Sequence, residues 1–502
     1  MTRSGTIMSD QSSQEAVPTL CLDAIPLDLS VSLPCLYDHE ASLPLPVDRI
    51  PPHVESLTDC AAHQIQRLEQ QKSWTTAEED ALDDGFFLCD LQTVQAKLDV
   101  WRRHLFPSVK PFYALKCHPD PMVAAILGRQ HSTGPAVTAA GFDCASIAEI
   151  QLALASTAHD TRQIIYANPQ RAEDALEQAL QLGVRVLTFD GAEELYKVQR
   201  IYTERIMTNS QVDSNSVPPQ MVLRILVPDE HSSVPLGEKF GAPPDQWINL
   251  MQLAVDLHLP VVGVSFHCGS GNHDPASYVQ AIRLAKEALE TIERVQATPK
   301  PWLLDIGGGY PGFDGCGGDD NRFTHREGRT GMKPIVRSSN GQSSKDDSTA
   351  QIAQAVTPFL NELFAHKMKE LHFVAEPGRY FVEAAFALCS RIYKVKAVHD
   401  ENDQVHYHYF IAHGVQGVFK DILLCGESFT PQALPIVSAE KLCTDVFAST
   451  VHGPSGHDYD VVCPTVTLPR LDVGDWLIFD RMGAYTFSIA SRSGQPPVRY
   501  VV

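Results

Sequence analysis

The stretch that decides the fold is PFYALKCHPD, residues 111–120. In a β-strand successive side chains point to opposite faces, so Phe112, Ala114 and Lys116 share one face. A lysine therefore ends an apolar strand on the same face as two apolar residues. Most lysines at such a position extend the ammonium group into water. This stretch alone leaves a solvated lysine and a functional lysine both open.

The composition is that of an ordinary acidic globular protein. The 502 residues are 44% hydrophobic and 20% charged, enough for two or three domains with a sizeable core. The formal net charge of −21 argues against nucleic acid or an anionic membrane as a partner. No apolar run predicts a membrane span, and the N-terminus resembles neither a signal nor a transit peptide. The 12 cysteines form no CxxC pair, which favours reduced thiols and a cytoplasmic location.

Short β-branched or aromatic segments alternate with helical segments through the middle of the chain. Eight such segments in parallel βα units predict a closed (β/α)8 barrel, with an open doubly wound sheet as the structural alternative. The predicted strands are FYALK (112–116), AVTAA (136–140), IIYA (164–167), VRVLTF (184–189), MVLRILV (221–227), VVGVSF (261–266), WLLDI (302–306) and HFVA (372–375).

The composition changes on both sides of this barrel. The strand-rich C-terminal part predicts an antiparallel β-domain, completed by an N-terminal strand near FFLCD. His406 and His408 would share a strand face there, and without further ligands they predict a solvated face rather than a metal site. The predicted regions are a poorly ordered extension (1–80), a lead-in strand and helix (81–110), the barrel (111–380) with a disordered insertion (314–350), and the β-domain (381–502).

Polar and glycine-rich motifs follow the predicted strands, at the end where the catalytic residues of a barrel lie. The glycines of SFHCGSG and DIGGGYPG would let backbone N–H groups approach a phosphate, although plain turn chemistry is the simpler explanation. GGGYPG also matches G-x-G-x-x-G, but Pro311 does not suit the helix of a dinucleotide site. The other motifs are GFDCAS with Asp143, YANP with Asn168, and AEPGRY with Glu376.

A phosphate site, a lysine and an acid at one barrel mouth together predict pyridoxal phosphate as the cofactor. Lys116 would bond to the cofactor aldehyde as a Schiff base, and Glu376 would pair with the protonated pyridine nitrogen. His267, which ends the sixth strand, would stack on the ring. Lys116 would then face inward because the cofactor lies there.

Seven motifs carry a family resemblance: PFYALKCHPD, GFDCAS, IIYANP, SFHCGSG, DIGGGYPG, AEPGRY and DRMGAYT. From about residue 85 onward the sequence resembles the ornithine decarboxylase branch of the decarboxylases with an alanine-racemase-like barrel, which also holds diaminopimelate and arginine decarboxylases. The resemblance implies a head-to-tail homodimer with shared active sites. It also implies cofactor-binding roles for Lys116, Asp143, Arg224, His267, Ser270, Gly307, Gly308, Gly309, Glu376, Gly378, Arg379 and Tyr485.

The resemblance ends at the substrate positions. The decarboxylases of this family carry a YD pair where this chain has Leu424 and Cys425. They carry GPTCDGLD where this chain reads GPSGHDYD, so Gly456 replaces a catalytic cysteine and His457 replaces an amine-binding aspartate supplied by the partner subunit.

These replacements leave several activities open. We predict a decarboxylase that converts an L-amino acid other than ornithine to an amine, in specialised metabolism. Lys116, His267 and His457 would be catalytic, and Cys425, His457 and Asp458 would contact the substrate. A true ornithine decarboxylase is the alternative if Asp421, Glu427 or Asp458 supplies the lost carboxylate. A non-catalytic regulator of the antizyme-inhibitor type and a racemase are weaker alternatives.

Overall fold

The computed structural model describes residues 45–49, 57–71, 85–129, 139–206, 218–312, 348–367, 369–436, 445–491 and 495–502. The predicted insertion over 314–350 falls outside the described residues except at its end, where residues 348–350 begin a helix. Along the described part of the chain, no helix is both long enough and apolar enough to cross a membrane.

Strands and helices alternate through the middle of the chain, and strands dominate after residue 386. The strands are β1 Gly85–Asp90, β2 Val109–Ala114, β3 Gly141–Cys144, β4 Ile164–Tyr166, β5 Val186–Phe189, β6 Gln220–Arg224, β7 Ser232–Val234, β8 Val261–Ser265, β9 Ser270–Asn272, β10 Leu303–Asp305, β11 His372–Ala375, β12 Phe386–His399, β13 Val405–Ile411, β14 Gln432–Leu434, β15 Val446–His452, β16 Val461–Pro469, β17 Trp476–Phe479 and β18 Val498–Val501. The helices are α1 Leu57–Gln71, α2 Leu91–Val100, α3 Pro121–Gly128, α4 Ile147–Ser156, α5 Glu173–Gln181, α6 Ala192–Ile201, α7 Trp247–Asp256, α8 Pro275–Val295, α9 Ser348–Leu363, α10 Arg379–Val382 and α11 Asp421–Cys425.

Short polar side chains begin several of the helices that surround the barrel. Asp120 accepts hydrogen bonds from the N–H groups of Met122 and Val123, each at 2.9 Å, at the start of α3. Ser146 and Asp274 cap α4 and α8 in the same way. Such caps satisfy backbone donors that a helix cannot pair internally, so the sequence sets where each helix begins behind its strand.

Eight parallel strands close into a barrel in the order β10, β11, β2, β3, β4, β5, β6 and β8, which confirms the predicted barrel. Its interior is filled by apolar side chains on or directly after six of its strands: Phe112, Ile165, Ala167, Val222, Val262, Leu303 and Val374. This packing closes the lower part of the barrel, so the polar side chains gather above it at the carboxyl ends of the strands.

The predicted second strand is displaced in the structure. Residues 136–138 lie outside the described part, and the strand that pairs with β2 is β3, with Phe112 opposite Gly141. A Cβ at Gly141 would lie 2.4 Å from the ring of Phe112, so a glycine is needed where that ring crosses the strand. Asp143 consequently lies within β3 rather than after it.

The C-terminal β-domain is a mixed sheet rather than the purely antiparallel sheet that was predicted. The long strand β12 pairs antiparallel with β1, β17 and β13, and this confirms that an N-terminal strand completes the sheet. Two parallel pairs, β1 with β18 and β13 with β15, make the sheet mixed.

Helix α1 lies inside the region that the composition predicted to be poorly ordered, so that prediction fails for residues 57–71. Leu57, Cys60, Ala61 and Ile65 recur at helical spacing and are buried. They pack against side chains of β1, β12, β17 and β18. The apolar stripe of α1 therefore covers one face of the β-domain.

Candidate active site

Lys116 lies in a single 3₁₀ turn, Leu115–Cys117, directly after β2. Its Nζ donates to Oδ2 of Asp143 at 2.9 Å, and Asp143 is fully buried in the neighbouring strand. The register that places Ala114 opposite Asp143 brings the two groups to one level of the barrel. The lysine side chain remains 35% exposed, so its amine is accessible from the barrel mouth.

Two carboxylates determine the protonation of Lys116. Burial alone would lower the pKa of its ammonium group, but Asp143 and Glu376 together raise that pKa above the ordinary lysine value. The amine is therefore charged in the protein without cofactor, and it has to release a proton before it can bond to an aldehyde.

Glu376 and Asp305 form a pair of buried carboxyl groups at the ends of β11 and β10. Burial and the nearby Asp143 raise the pKa of Glu376 to about 7, although Lys116 and Arg224 oppose the rise. Burial and Glu376 raise the pKa of Asp305 well above its usual range. Asp305 Oδ1 accepts from the N–H of Gly307 at 2.8 Å, and the N–H of Glu376 donates to the carbonyl of Gly307 at 2.7 Å.

Asp305 is a site residue that the sequence analysis missed. It stands inside the quoted motif DIGGGYPG, immediately after two buried leucines that predict a strand. An acid at that position, next to a glycine run, was the signal that would have found it.

His267 lies beside the glycine run as a neutral ring. Its Nδ1 accepts from the N–H of Gly269 at 3.0 Å, which leaves the ring proton on Nε2. Burial lowers its pKa well below the usual value, and the cations Lys116 and Arg224 lower it further. A Cβ at Gly308 would lie 2.9 Å from Nε2 of His267, so the ring fits against this segment only because residue 308 is glycine.

The glycine run forms a tight backbone cradle. Gly307 and Gly309 have φ values of +69° and +102°, in the region that favours glycine. A Cβ at Gly307 would lie 1.9 Å from the carbonyl oxygen of Phe266. The cradle is joined to β9, which contains Ser270, because the N–H of Asn272 donates to the carbonyl of Gly309 at 3.1 Å.

Arg379 and Tyr485 lie together near the same mouth. The guanidinium of Arg379 is 5.5 Å from the centre of the Tyr485 ring, and its NH1 is 3.7 Å from Oε1 of Glu383. Among the described residues, the buried Nε of Arg379 has no hydrogen-bond partner. A Cβ at Gly378 would lie 2.9 Å from Cβ of Cys117, so the turn before α10 packs directly against the Lys116 turn.

Arg224 lies across the barrel from Lys116, and it adds a second positive charge to the group that contains Asp143 and Glu376. It ends β6, and its guanidinium lies 4.6 Å from the ring centre of Phe240. Burial lowers its pKa while the carboxylates of Glu376, Asp190 and Asp143 oppose that shift. The structure thus brings Arg224 into the electrostatic field of Glu376 and His267.

The residues present fit pyridoxal phosphate. The cradle of Gly307, Gly308 and Gly309 and the unpartnered Nε of Arg379 suit a phosphate. The buried carboxyl of Glu376 suits a pyridine nitrogen, and Lys116 suits an aldehyde.

Cys425, at a substrate position of the family, lies at the end of the short helix α11. Its Sγ donates to Oδ1 of Asp421 at 3.6 Å. Burial and Asp421 raise the pKa of this thiol to about 11, so it is neutral near pH 7. Leu424 beside it is 63% exposed. The positive charge of Arg379 lowers the pKa of both Asp421 and Cys425 against the effect of burial, so α11 lies close to Arg379.

His457 and Asp458 lie on an exposed turn of the β-domain, away from Lys116. The His457 ring stacks on Tyr459 at 5.1 Å, and the backbone N–H of His457 donates to Oγ of Ser455 at 3.3 Å. Buried Asp460 holds this turn by accepting from the N–H groups of Ser455 at 2.8 Å and Val415 at 2.9 Å. Among the described residues of the single chain, the structure does not join His457 or Asp458 to the cofactor-side groups.

His406 and His408 lie on one strand face, as predicted. Nε2 of His406 is 2.9 Å from Oγ1 of Thr450, and Nδ1 of His408 is 2.9 Å from Nε2 of His452. Within the described ranges, no group of three or more His, Cys, Asp or Glu residues is arranged to hold a metal ion.

The comparison with known proteins assigns the class. Residues 91–383 match the family described as pyridoxal-dependent decarboxylase, pyridoxal binding domain. The chain belongs to this family of pyridoxal-phosphate-dependent decarboxylases, and pyridoxal phosphate is its cofactor. The family, the barrel and the cofactor predicted from the sequence are confirmed.

Individual relatives differ in what they do. The chain is 34% identical to antizyme inhibitor 2 of Xenopus laevis over 434 residues, 84% of this chain and 81% of that protein. It is 31% identical to ornithine decarboxylase of Caenorhabditis elegans over 418 residues, 82% and 84% of the two chains. Among solved structures it resembles the arginine decarboxylase of Paramecium bursaria Chlorella virus, with a TM-score of 0.68, 26% identity, and coverage of 88% and 100%.

Proposed function

We propose that this protein releases the α-carboxylate of an L-amino acid as CO2, leaving an amine, and that its preferred substrate is not ornithine. The proposal rests on the contrast between the Lys116 side of the site and the family's substrate positions. The Lys116 side of the site holds buried, paired carboxylates, whereas the substrate positions of the family hold Leu424, Cys425, Gly456 and His457.

The proposed roles on the cofactor side follow from the contacts. When bound, pyridoxal phosphate supplies an electron sink for the charge left at the substrate Cα. Lys116 holds the cofactor and Glu376 keeps a proton at the ring nitrogen. Arg379 and the glycine cradle, with Ser270 and Gly378, bind the phosphate, and Tyr485 packs on Arg379. His267 covers one ring face and excludes water, while Asp143 orients Lys116 and Arg224 supports Glu376.

At the two positions where the family's decarboxylases carry amine-binding aspartates, this chain has Cys425 and His457, and neither supplies a carboxylate. An uncompensated buried charge costs several kcal/mol, and the Cys425 thiol, with a pKa of about 11, stays neutral. We therefore propose a substrate whose distal group is neutral or anionic. His457 would donate the proton to the substrate Cα, in the place where Gly456 cannot, and Asp458 would contact the substrate beside it.

The exposure of His457 supports a homodimer with shared sites. Its turn is held by Asp460 and the His457 side chain is exposed, so it is accessible to a second copy of the chain, which would receive His457 in its own site. The absence of CxxC pairs supports a cytoplasmic location.

Ornithine decarboxylation, giving putrescine for polyamine synthesis, remains the second candidate because two carboxylates flank Cys425. Asp421 is buried four residues before it, and the N–H of Glu427 donates to the carbonyl of Asp421 at 3.3 Å. Either acid would pair with a distal amine if α11 shifted. A regulatory role like that named for the Xenopus relative is weaker, because Lys116, Asp143 and Glu376 are all in place.

A substrate panel tests the proposal. Purified protein loaded with pyridoxal phosphate is incubated with ornithine, lysine, arginine and the neutral and acidic amino acids, and both CO2 and amine are measured. We expect stoichiometric CO2 and amine from a substrate other than ornithine, and none from Lys116→Ala. No CO2 from any amino acid would overturn the catalytic assignment.

A further inference from the structure

We infer that His118 is a positioning residue, which locks the turn carrying Lys116 to the β-domain segment carrying Tyr485. This inference rests on the proposed function only in that the site binds pyridoxal phosphate. His118 follows Lys116 by two residues and is fully buried. It was not among the residues singled out from the sequence.

The His118 ring can bond to the carbonyl oxygen of Gly483 only when its Nδ1 carries a proton. Its Nδ1 lies 2.7 Å from the carbonyl oxygen of Gly483, so Nδ1 carries the proton and donates. The ring lies between Phe386, at 4.2 Å, and Phe487, at 5.1 Å with an interplanar angle of 9°. Its Nε2 has no hydrogen-bond partner in the described part of the chain, and burial keeps the ring neutral by lowering its pKa.

Two further bonds join the same segments. The N–H of Tyr485 donates to the carbonyl of Cys117 at 3.1 Å, and Oγ of Ser488 donates to that carbonyl at 3.0 Å. We call the three bonds from His118, Tyr485 and Ser488 the clasp. The clasp acts on the residues directly beside Lys116, so it determines where the Lys116 amine lies relative to the β-domain.

The clasp also reaches the phosphate side. The N–H of Gly483 donates to the carbonyl of Glu383 at 3.4 Å, and Glu383 is the residue that faces Arg379. A Cβ at Gly483 would lie 1.7 Å from the carbonyl oxygen of Val382, so this segment packs directly on α10. His118 thus links the turn of Lys116, which would bond to the cofactor aldehyde, to the helix of Arg379, which would bind the cofactor phosphate. A loss of its donor would leave the buried Gly483 carbonyl unpaired.

The test compares His118→Phe, which keeps an aromatic ring but removes the donor, with His118→Asn, whose amide restores a donor near the position of Nδ1. His413→Asn is the control, because His413 is a partly buried histidine that is bonded to Ser390 Oγ at 2.8 Å and makes none of the three clasp bonds. The measurements are the dissociation constant of pyridoxal phosphate, the pH titration of its visible absorbance without substrate, and the unfolding midpoint.

We expect His118→Phe to bind the cofactor about tenfold more weakly, the effect of one lost buried hydrogen bond, and to shift the absorbance titration. His118→Asn should stay within about threefold of wild type, and His413→Asn should change only the unfolding midpoint. If His118→Phe does not fold, Ser488→Ala decides, with an expected weakening of about threefold.

Cofactor affinity and titration unchanged in His118→Phe, or in Ser488→Ala where that variant decides, would overturn the inference. So would equal weakening in His118→Phe and His118→Asn. A failure of the proposed function gives a different result from a failure of this inference. If wild-type protein takes up no cofactor, the cofactor roles themselves are wrong, whatever the His118 variants do.

Discussion

The cofactor side and the substrate side of the site differ in what holds their side chains in place. Asp143 and Glu376 are buried and interact with Lys116 inside one chain. Cys425, at the end of the short helix α11, and His457, on a turn of the β-domain, are both exposed. Burial and ionic pairing make the first region complete in a single copy. In the second region the backbone is held by hydrogen bonds, but the Cys425 and His457 side chains are exposed to solvent in the single chain.

The largest expected effect is the loss of Lys116. Lys116→Ala should lower kcat/KM by about 10⁴-fold or more, as removal of a covalent catalytic group does, and should abolish the visible absorbance of bound cofactor. Lys116→Arg keeps a cation beside Asp143 but cannot bond to the aldehyde, so it should fold normally and be equally inactive. Substantial activity in either variant would show that the cofactor side is misassigned.

The next effect is at the ring-nitrogen position. Glu376→Gln should lower kcat by about 10²–10³-fold, the usual cost of removing one preorganised electrostatic partner. Glu376→Asp keeps the carboxylate and should recover part of the rate. Single-turnover CO2 release measures the chemical step. Equal rates for Glu376→Gln and wild type would rule out this role.

On the substrate side, His457→Ala should lower kcat by about 10²-fold through loss of a proton donor. Mixing it with Lys116→Ala, each nearly inactive alone, should restore about a quarter of wild-type activity, because half of random dimers would hold one intact site. No recovery on mixing, in protein shown to exchange subunits, would place His457 outside the shared site.

The smallest effect concerns stability. Folded cofactor-free protein holds a proton on Glu376 up to a pKa of about 7, against an ordinary value of 4.5. The folded state therefore binds more protons between these values, and the free energy of unfolding falls as pH rises through that range. Glu376→Gln should flatten this fall, measured by denaturant unfolding from pH 5 to pH 7.5. An unchanged or steeper slope would contradict the raised pKa.

The fold was predictable wherever the pattern was local. Alternating apolar residues and glycine-rich strand ends predicted the barrel, the N-terminal strand of the β-domain and the cofactor. The second strand was misplaced because AVTAA is an uninterrupted run of small and β-branched residues, whereas GFDC contains the acid Asp143, and the crossing of Phe112 over Gly141 that selects GFDC is a tertiary contact. Helix α1 was missed because its burial depends on a distant sheet face.

Some residues of the site could be predicted from the sequence and others could not. Lys116, Asp143, His267 and Glu376 stand in motifs, and the structure brings them together. Asp305 and His118 were overlooked because their importance comes from partners far along the chain. Asp305 pairs with an acid that follows the next barrel strand, and His118 bonds to a carbonyl 365 residues further along the sequence. No local pattern reports the His118 pairing, whereas the position of an acid beside the glycine run could have indicated Asp305.

The most direct test of the central contrast is the ratio of kcat/KM for ornithine to that for the best substrate of the panel. Wild-type protein should prefer an amino acid with a neutral or anionic distal group. Cys425→Asp should raise kcat/KM for ornithine by about tenfold, because a charge-assisted pair replaces a neutral thiol. Ornithine as the best wild-type substrate, at about 10⁴ M⁻¹s⁻¹ or above, would show that the substrate side already supplies the missing carboxylate and would contradict the proposed specificity.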